Sequence, residues 1–324
     1  MGSGAAFGGT VTAIAGGIGA GKFLRGLERV VPGDALTVVV NVADDVEIHG
    51  LHVSPDPDSV IYWLGDAFDR ERGWGRRGET FRATEELQAF GAPQAWFNLG
   101  DLDLATHVFR TDLLRQGASL SDVTARVAAR FGVGARILPV TDDRVETRIV
   151  CADATTGAEL DLHFQEYWVR RRAADPVKEI RYAGAARARP AAGVLDAITT
   201  ADAVVVWPSN PVVSIGPILA VPGVRDAIAA RRSRVVGVSG IVGGAPVAGM
   251  ADKLMPAVGI EVSAAGVARH YADLLGAWLV DEADRDAGRS VEALGIRVGV
   301  TDTIMTDDDR SEAVARAALA LLDR

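Results

Sequence analysis

AIAGGIGAGKFLRGL, residues 13–27, sets four glycines between an apolar run and an amphipathic pattern. Gly16, Gly17, Gly19 and Gly21 close a predicted strand and open a predicted helix, with Phe23, Leu24, Leu27 and Val30 at helical spacing. Backbone amides and the positive helix end at such a turn can meet an anion, and Lys22 adds a point charge. From Gly16 the stretch reads G-x-x-x-x-G-K, but Phe23 stands where a phosphate-binding loop needs Ser or Thr to ligate Mg²⁺. Lys22 also stands where the dinucleotide fingerprint wants its last glycine. Nucleotide hydrolysis of the ordinary kind and a dinucleotide-dependent dehydrogenase are therefore both disfavoured.

Outward from this turn the same design recurs. LTVVVNVADD (36–45) is the continuous Val run of a strand buried on both faces of a parallel sheet. ADAVVVWPSNP (201–211), RVVGVSGIVGG (234–244) and RVGVTDTIM (297–305) repeat it, and 309–324 form a closing amphipathic helix. Residues 136–169 differ: their strands alternate and are separated by turn residues at 155–157, as in an antiparallel hairpin. The expected fold is α/β, a doubly wound, mostly parallel Rossmann-like sheet. It comprises one domain over 10–324 with an inserted antiparallel β/α segment at about 136–190, and residues 1–9 read as a flexible or non-native tail.

Composition narrows the function. The chain has 324 residues, 48% hydrophobic, and a formal net charge of −9, against a nucleic-acid surface. The longest apolar run, 212–224, is broken by Pro217 and Pro222, so no membrane span is expected. One cysteine, Cys151, excludes an intramolecular disulfide and fits a reducing cytoplasm.

The chemistry-bearing residues fall at strand ends. Asp44 and Asp45 end the Val-rich strand, and Asp56 and Asp58 follow in a Pro-rich loop; four carboxylates within 15 residues suit a hard cation that bridges phosphates. One of them could serve as a general base. The simpler alternative makes Asp56 a turn residue and Asp58 a helix cap. His49 and His52 form H-x-x-H, without the third His or the Cys that a zinc set needs. In WFNLGDLDLATHVFRTDLL (96–114) a short strand is expected to end at Asn98–Gly100. Asp101 then begins a helix with Leu104, Val108 and Leu113 on one face. Ser209, Asn210, Ser214, Ser239, Gly240, Gly243 and Gly244 offer amides and hydroxyls after two more strands. The arginines of RGWGRRGE (72–79) and WVRRRA (168–173) read mainly as solvated faces. Metal-assisted phosphoryl transfer or phosphate-ester binding is the implied chemistry.

Seven motifs in order, AGGIGAGKFLRGL, NVADDVEIHGLHVSPDPDSVIYWL, RGWGRRGETF, WFNLGDLDLATH, HFQEYWV, PSNPVVSIGPIL and VGGAPVAGMADKLM, span residues 13 to 255. Together the chain resembles the 2-phospho-L-lactate transferase (CofD/FbiA) family of coenzyme F(420) biosynthesis. The resemblance implies a Mg²⁺-dependent transfer of a phospho-three-carbon-acid group, phospholactyl, phosphoenolpyruvyl or phosphoglyceryl, from a guanosine diphospho donor. The acceptor would be the ribityl hydroxyl of the deazaflavin 7,8-didemethyl-8-hydroxy-5-deazariboflavin (Fo), with GMP released. It implies Asp44, Asp45 and Asp58 as metal ligands, with Asp45 as ligand or base. Asn98, Gly100, Asp101, Thr106 and His107 would line the deazaflavin pocket. Gly16, Gly17, Gly19, Lys22, Ser209, Asn210, Gly240, Gly243 and Gly244 would lie against the nucleotide phosphates. A cytoplasmic homodimer is the family habit. Two positions depart from the family pattern: Ala43 replaces a glycine before the aspartates, and Gly240 replaces the proline of S-P-[IV]-[IV]-G. The rival reading is a non-catalytic, nucleotide-sugar-binding regulatory protein of the same superfamily. Those proteins tend to carry a Gly/Ser-rich stretch after their paired aspartates, which ValGluIleHisGly replaces here.

Overall fold

Seven strands form a fully parallel sheet: β1 (Val11–Ala15), β2 (Leu36–Val40), β3 (Arg136–Pro139), then β7 (Ala203–Val206), β8 (Val235–Val238), β9 (Ala277–Asp281) and β10 (Arg297–Thr301). The computed structural model describes residues 7–17 and 19–322. The order across the sheet is β10-β9-β8-β7-β1-β2-β3. The chain therefore runs outward from β1 to one edge, then returns to the other side of β1 and runs outward again. Between β1 and β7 successive connections leave on opposite faces, which opens a crevice beyond the carboxyl ends of both strands. Register places Ile14 between Val39 and Val206, so three β-branched residues stack across the centre of the sheet. Every residue of β1, β7, β8 and β9 is buried, as the uninterrupted apolar runs require.

Helix α1 (Ala20–Val30) covers one face beside the C-terminal helix α6 (Asp308–Ala320). Gly26 permits the contact, since a Cβ there would collide with the backbone of Ser311. Phe23 points into the core, edge-on to Trp207 at 4.7 Å between ring centroids. The residue that breaks the phosphate-loop pattern is thus a core residue. Helices α2 (Pro55–Leu64), α3 (Arg82–Ala89), α4 (Asp101–Arg115) and α5 (Leu120–Arg130) follow β2, and α2 and α4 contribute to the wall of the crevice.

The antiparallel segment is a three-stranded sheet with β4 (Glu146–Ala152) between β5 (Glu159–His163) and β6 (Val177–Ala183). It begins later than expected at 136, because Arg136–Pro139 pairs with β2 in the main sheet. The turn read at 155–157 is closed by Asp153, whose Oδ1 accepts from the amides of Thr155 and Thr156. At the N-terminus, the Phe7 amide donates to the Val30 carbonyl and its ring packs on the core, so Phe7 to Gly9 belong to the fold. The remainder of the expected tail, residues 1–6, lies outside the described residues. No strand forms before Asn98: residues 92–97 are turns, in which Gln94 braces the Val46–Ile48/Leu51–Val53 hairpin through the Glu47 carbonyl and His49 amide.

Candidate active site

A cleft of about 1170 Å³ lies at the carboxyl ends of β1, β2, β7 and β8. Gly16, Gly17, Gly19, Lys22, Ser209, Asn210 and Gly240 all line it. Gly16 admits no side chain: a Cβ would stand 2.9 Å from the Ser214 carbonyl and 3.0 Å from Asp56 Oδ2. Gly17 takes φ +77°, a left-handed turn that glycine adopts without strain. Ser209 Oγ donates to the Gly16 carbonyl at 2.5 Å, tying the loop after β7 to the loop after β1. Asn210 Oδ1 accepts from the amides of Val212 and Val213, so its side chain caps the following helical turn.

Gly243 and Gly244 are not on the cleft. They turn the hairpin Ile241–Val242/Ala245–Pro246 with φ of +58° and +80°, and the Gly243 amide donates to Asp284 Oδ2 at 3.0 Å. Residues 246–251, beyond that hairpin, line the cleft instead. Gly240, the departure from proline, sits where a Cβ would be 2.9 Å from the Pro208 carbonyl; the two loops approach too closely for a ring.

The aspartates divide into distinct roles. Asp44 is buried on the cleft wall, with Oδ1 lacking any hydrogen-bond partner among the described residues. Burial, with the charges of Asp56 and Asp45, pushes its carboxyl well above the usual range. Asp45 lies behind it: Oδ2 accepts from Ser54 Oγ at 2.7 Å and meets His52 Nε2 at 2.8 Å, while Oδ1 is buried and unpaired. Asp56 faces the glycine loop, receives Asn41 Nδ2 at 2.9 Å, and is raised by burial to about 6. Asn41 is itself fixed by accepting from the Ala43 amide at 2.9 Å. Asp58 differs. Both its oxygens are taken by the buried guanidinium of Arg110, with Nη1–Oδ2 at 3.0 Å and a second contact from Nη2 to Oδ1. A carboxylate whose charge is already compensated by a buried bidentate arginine, with one lone pair of each oxygen taken, attracts a cation less than the unpaired Asp44 does, which argues against the metal role the resemblance gave it.

Among the described residues no three His, Cys, Asp or Glu side chains converge into a ready-made metal cage. The unpaired buried oxygens of Asp44 and Asp45 nevertheless suit Mg²⁺, which commonly takes one or two carboxylates and completes its shell with substrate phosphates and water.

Aromatic side chains also line the cleft, among them Tyr62, Trp74, Trp96 and Phe97. Of the residues expected against the deazaflavin, Asn98 and His107 line the cleft; Gly100, Asp101 and Thr106 do not. Gly100 packs on the Glu79 side chain. Asp101 accepts from Thr80 Oγ1 and the amides of Arg82 and Ala83, capping α3. Thr106 receives the Tyr62 hydroxyl at 3.1 Å. Burial and the Arg110 charge hold His107 well below the ordinary histidine range, so it is neutral at pH 7. Asn41, Asp103 and Arg110 were not anticipated. The face of α4 turned inward carries Asp103, Thr106, His107, Arg110 and Thr111, whereas Val108 is half exposed. Of the expected apolar face, Leu104 and Leu113 are half-buried and pack on hydrophobic clusters while Val108 is exposed; the most buried stripe is the polar one at 103, 107 and 110.

No helix of the described residues is long and apolar enough to cross a membrane. By backbone shape the chain is similar to crystal structures of a Bacillus halodurans protein of the upf0052 family, with a TM-score of 0.62 at 18% identity, covering 96% of this chain and 99% of that one. By sequence it is 52% identical over 314 residues to a phosphoenolpyruvate transferase of Streptomyces griseus subsp. griseus (97% of this chain, 98% of the relative). It is 48% identical over 320 residues to one of Thermobifida fusca (96% and 97%) and 42% over 325 residues to one of Mycolicibacterium smegmatis (96% and 98%). The family model described as 2-phospho-L-lactate transferase CofD matches residues 11–312, from the first residue of β1 into α6. That span takes in the glycine loop, the aspartates and every strand end around the cleft, and the chain belongs to the CofD family of transferases.

Proposed function

We propose that this transferase moves a phosphoenolpyruvyl group from a guanosine diphospho donor to the terminal ribityl hydroxyl of the deazaflavin Fo, in coenzyme F(420) biosynthesis. One observation carries the reading. A single cleft is lined by anion-friendly loops after β1, β7 and β8, by aromatic side chains and by Asp44, whose Oδ1 is unpaired, with the unpaired Oδ1 of Asp45 next to it in the chain. The names of the relatives favour phosphoenolpyruvyl among the three-carbon acids.

In this reading the amides of Gly16, Gly17 and Gly19, Lys22 and the Ser239–Gly240 turn bind the donor diphosphate. Tyr62, Trp74, Trp96 and Phe97 hold the planar acceptor. Asp44, with Asp56 beside the glycine loop, would hold Mg²⁺, which when bound neutralises charge on the diphosphate. The ribityl oxygen forms a bond to the phosphorus bearing the acid, and the bond from that phosphorus to the GMP oxygen breaks. The hydroxyl proton passes to the Asp44–Asp45 pair, in which Asp45 is the expected base, held by His52 and Ser54. Arg110 keeps Asp58 neutralised, so that the wall of the cleft carries one negative charge fewer. A homodimer in the cytoplasm belongs to the same proposal.

The test is incubation with Fo, Mg²⁺ and each of the phosphoenolpyruvyl, phospholactyl and phosphoglyceryl donors, following GMP and coupled deazaflavin by mass spectrometry. Coupled product with the phosphoenolpyruvyl donor is expected. No product with any donor, despite nucleotide binding, would replace this reading with the regulatory binding protein.

A further inference from the structure

Asp103 stands in the first turn of α4, lines the cleft, and is 7% exposed. Its Oδ1 is buried and has no hydrogen-bond partner among the described residues. An unpaired buried carboxyl oxygen is costly unless a ligand completes it. The turn that carries it is held by its backbone. Glu79 accepts the Leu102 amide through Oε2 at 2.7 Å and the Asp103 amide through Oε1 at 2.8 Å. Opposite, Gly75 takes φ +69°, and a Cβ there would lie 3.2 Å from Asp103 Oδ2. A side chain at Gly75 would be strained by that φ and would crowd the carboxyl, while Trp74 beside it also lines the cleft. Burial, followed by the charge of Asp58, raises Asp103 to about 7, against the opposing pull of the Tyr62 hydroxyl and Arg76. A carboxyl that keeps its proton offers a donor and an acceptor side by side.

The acceptor ring in the reading above presents a matching edge, an imide N–H next to a carbonyl. We propose that Asp103 is the specificity-determining residue for the acceptor, its carboxyl pairing with the N–H and neighbouring C=O of the pyrimidinedione ring; this rests on the deazaflavin reading. In such a pair the aromatic side chains that line the cleft, Trp74 beside Gly75 among them, give affinity and Asp103 gives selection.

The experiment titrates Fo, and Fo methylated at that imide nitrogen, into wild type, Asp103→Ala and Asp103→Asn by deazaflavin fluorescence, with donor KM measured in parallel. Wild type is expected to prefer Fo over the methylated ring by about tenfold or more, as loss of paired hydrogen bonds at a buried site implies. Asp103→Ala should bind Fo about tenfold more weakly with donor KM within about twofold, and should lose the preference. Asp103→Asn, whose amide keeps a donor and an acceptor, should stay within about threefold of wild type. Unchanged Fo binding in Asp103→Ala would overturn the proposal. So would a wild type that binds both rings equally, a result that needs no folded variant. Product formation in wild type with either of these results leaves the transferase reading standing. A wild type that binds nucleotide but neither ring overturns both.

Discussion

Arg110 and Asp58 form a bidentate ion pair inside the protein, each side chain less than a tenth exposed, that joins α4 to α2. Arg110 Nη1 also reaches His107 Nδ1 at 3.2 Å and the His52 carbonyl at 3.4 Å, so one guanidinium ties the wall of the cleft to the hairpin carrying His52. Removing one partner strands a buried charge and costs about 3–5 kcal/mol, whereas replacing both by apolar residues of similar volume can be nearly neutral. Arg110→Ala should therefore lower stability in denaturant by that amount. The double variant Arg110→Met with Asp58→Leu should recover most of it.

The same pairing gives Asp58 surroundings unlike those of Asp44, whose Oδ1 is unpaired. Isothermal titration with Mg²⁺ and donor should show Asp44→Asn losing metal-dependent binding by about tenfold or more. Asp58→Asn, with folding intact, should keep it within about threefold. The reverse order of effects would restore Asp58 to the metal set.

Carboxylates raised by burial make the apo fold weaker at higher pH. Asp56 and Asp103 lie at about 6 and about 7 in the folded chain, against an ordinary 3.8. Below pH 4 both are protonated folded or unfolded. Between pH 4 and 7 the unfolded chain releases their protons first, so the stability these groups contribute is lost as pH rises. Asp56→Asn, measured without metal, should raise stability at pH 8 by about 1–3 kcal/mol and change it little at pH 4. An equal effect at both pH values would disprove the titration as its cause.

Restoring the hydroxyl of a phosphate loop should not create a nucleotidase. Phe23 is fully buried against Trp207, so Phe23→Thr removes an aromatic core contact and should cost about 3–5 kcal/mol. Thermal melts check the loss, and phosphate release from GTP should stay at background.

Gly16→Ala places a methyl 2.9 Å from the Ser214 carbonyl and 3.0 Å from Asp56 Oδ2. The loop must shift, and donor affinity should fall about tenfold or more while the far-UV spectrum is unchanged. Gly19→Ala, where a Cβ meets nothing within 4 Å, is the matched control and should keep near-normal affinity.

Local patterning was enough for the sheet and for where its ligand end lies. Continuous Val runs bury on both faces whatever surrounds them, and a glycine turn between strand and helix opens at the carboxyl edge in either half of the sheet. Motif order over residues 13–255 also carried the family. The sequence could not show which aspartate is paired, because that depends on a partner distant in the chain: Arg110 lies 52 positions from Asp58. It oriented α4 only in part. Leu104 and Leu113 pack on hydrophobic clusters as their spacing implies, but the helix also walls a polar cleft, so Asp103, His107 and Arg110 are its most buried stripe while Val108 and Phe109 face out. Gly243 and Gly244 were equally ambiguous, since a glycine pair serves a tight hairpin and an anion loop by the same positive φ, and only the tertiary path of residues 241–246 decided for the hairpin.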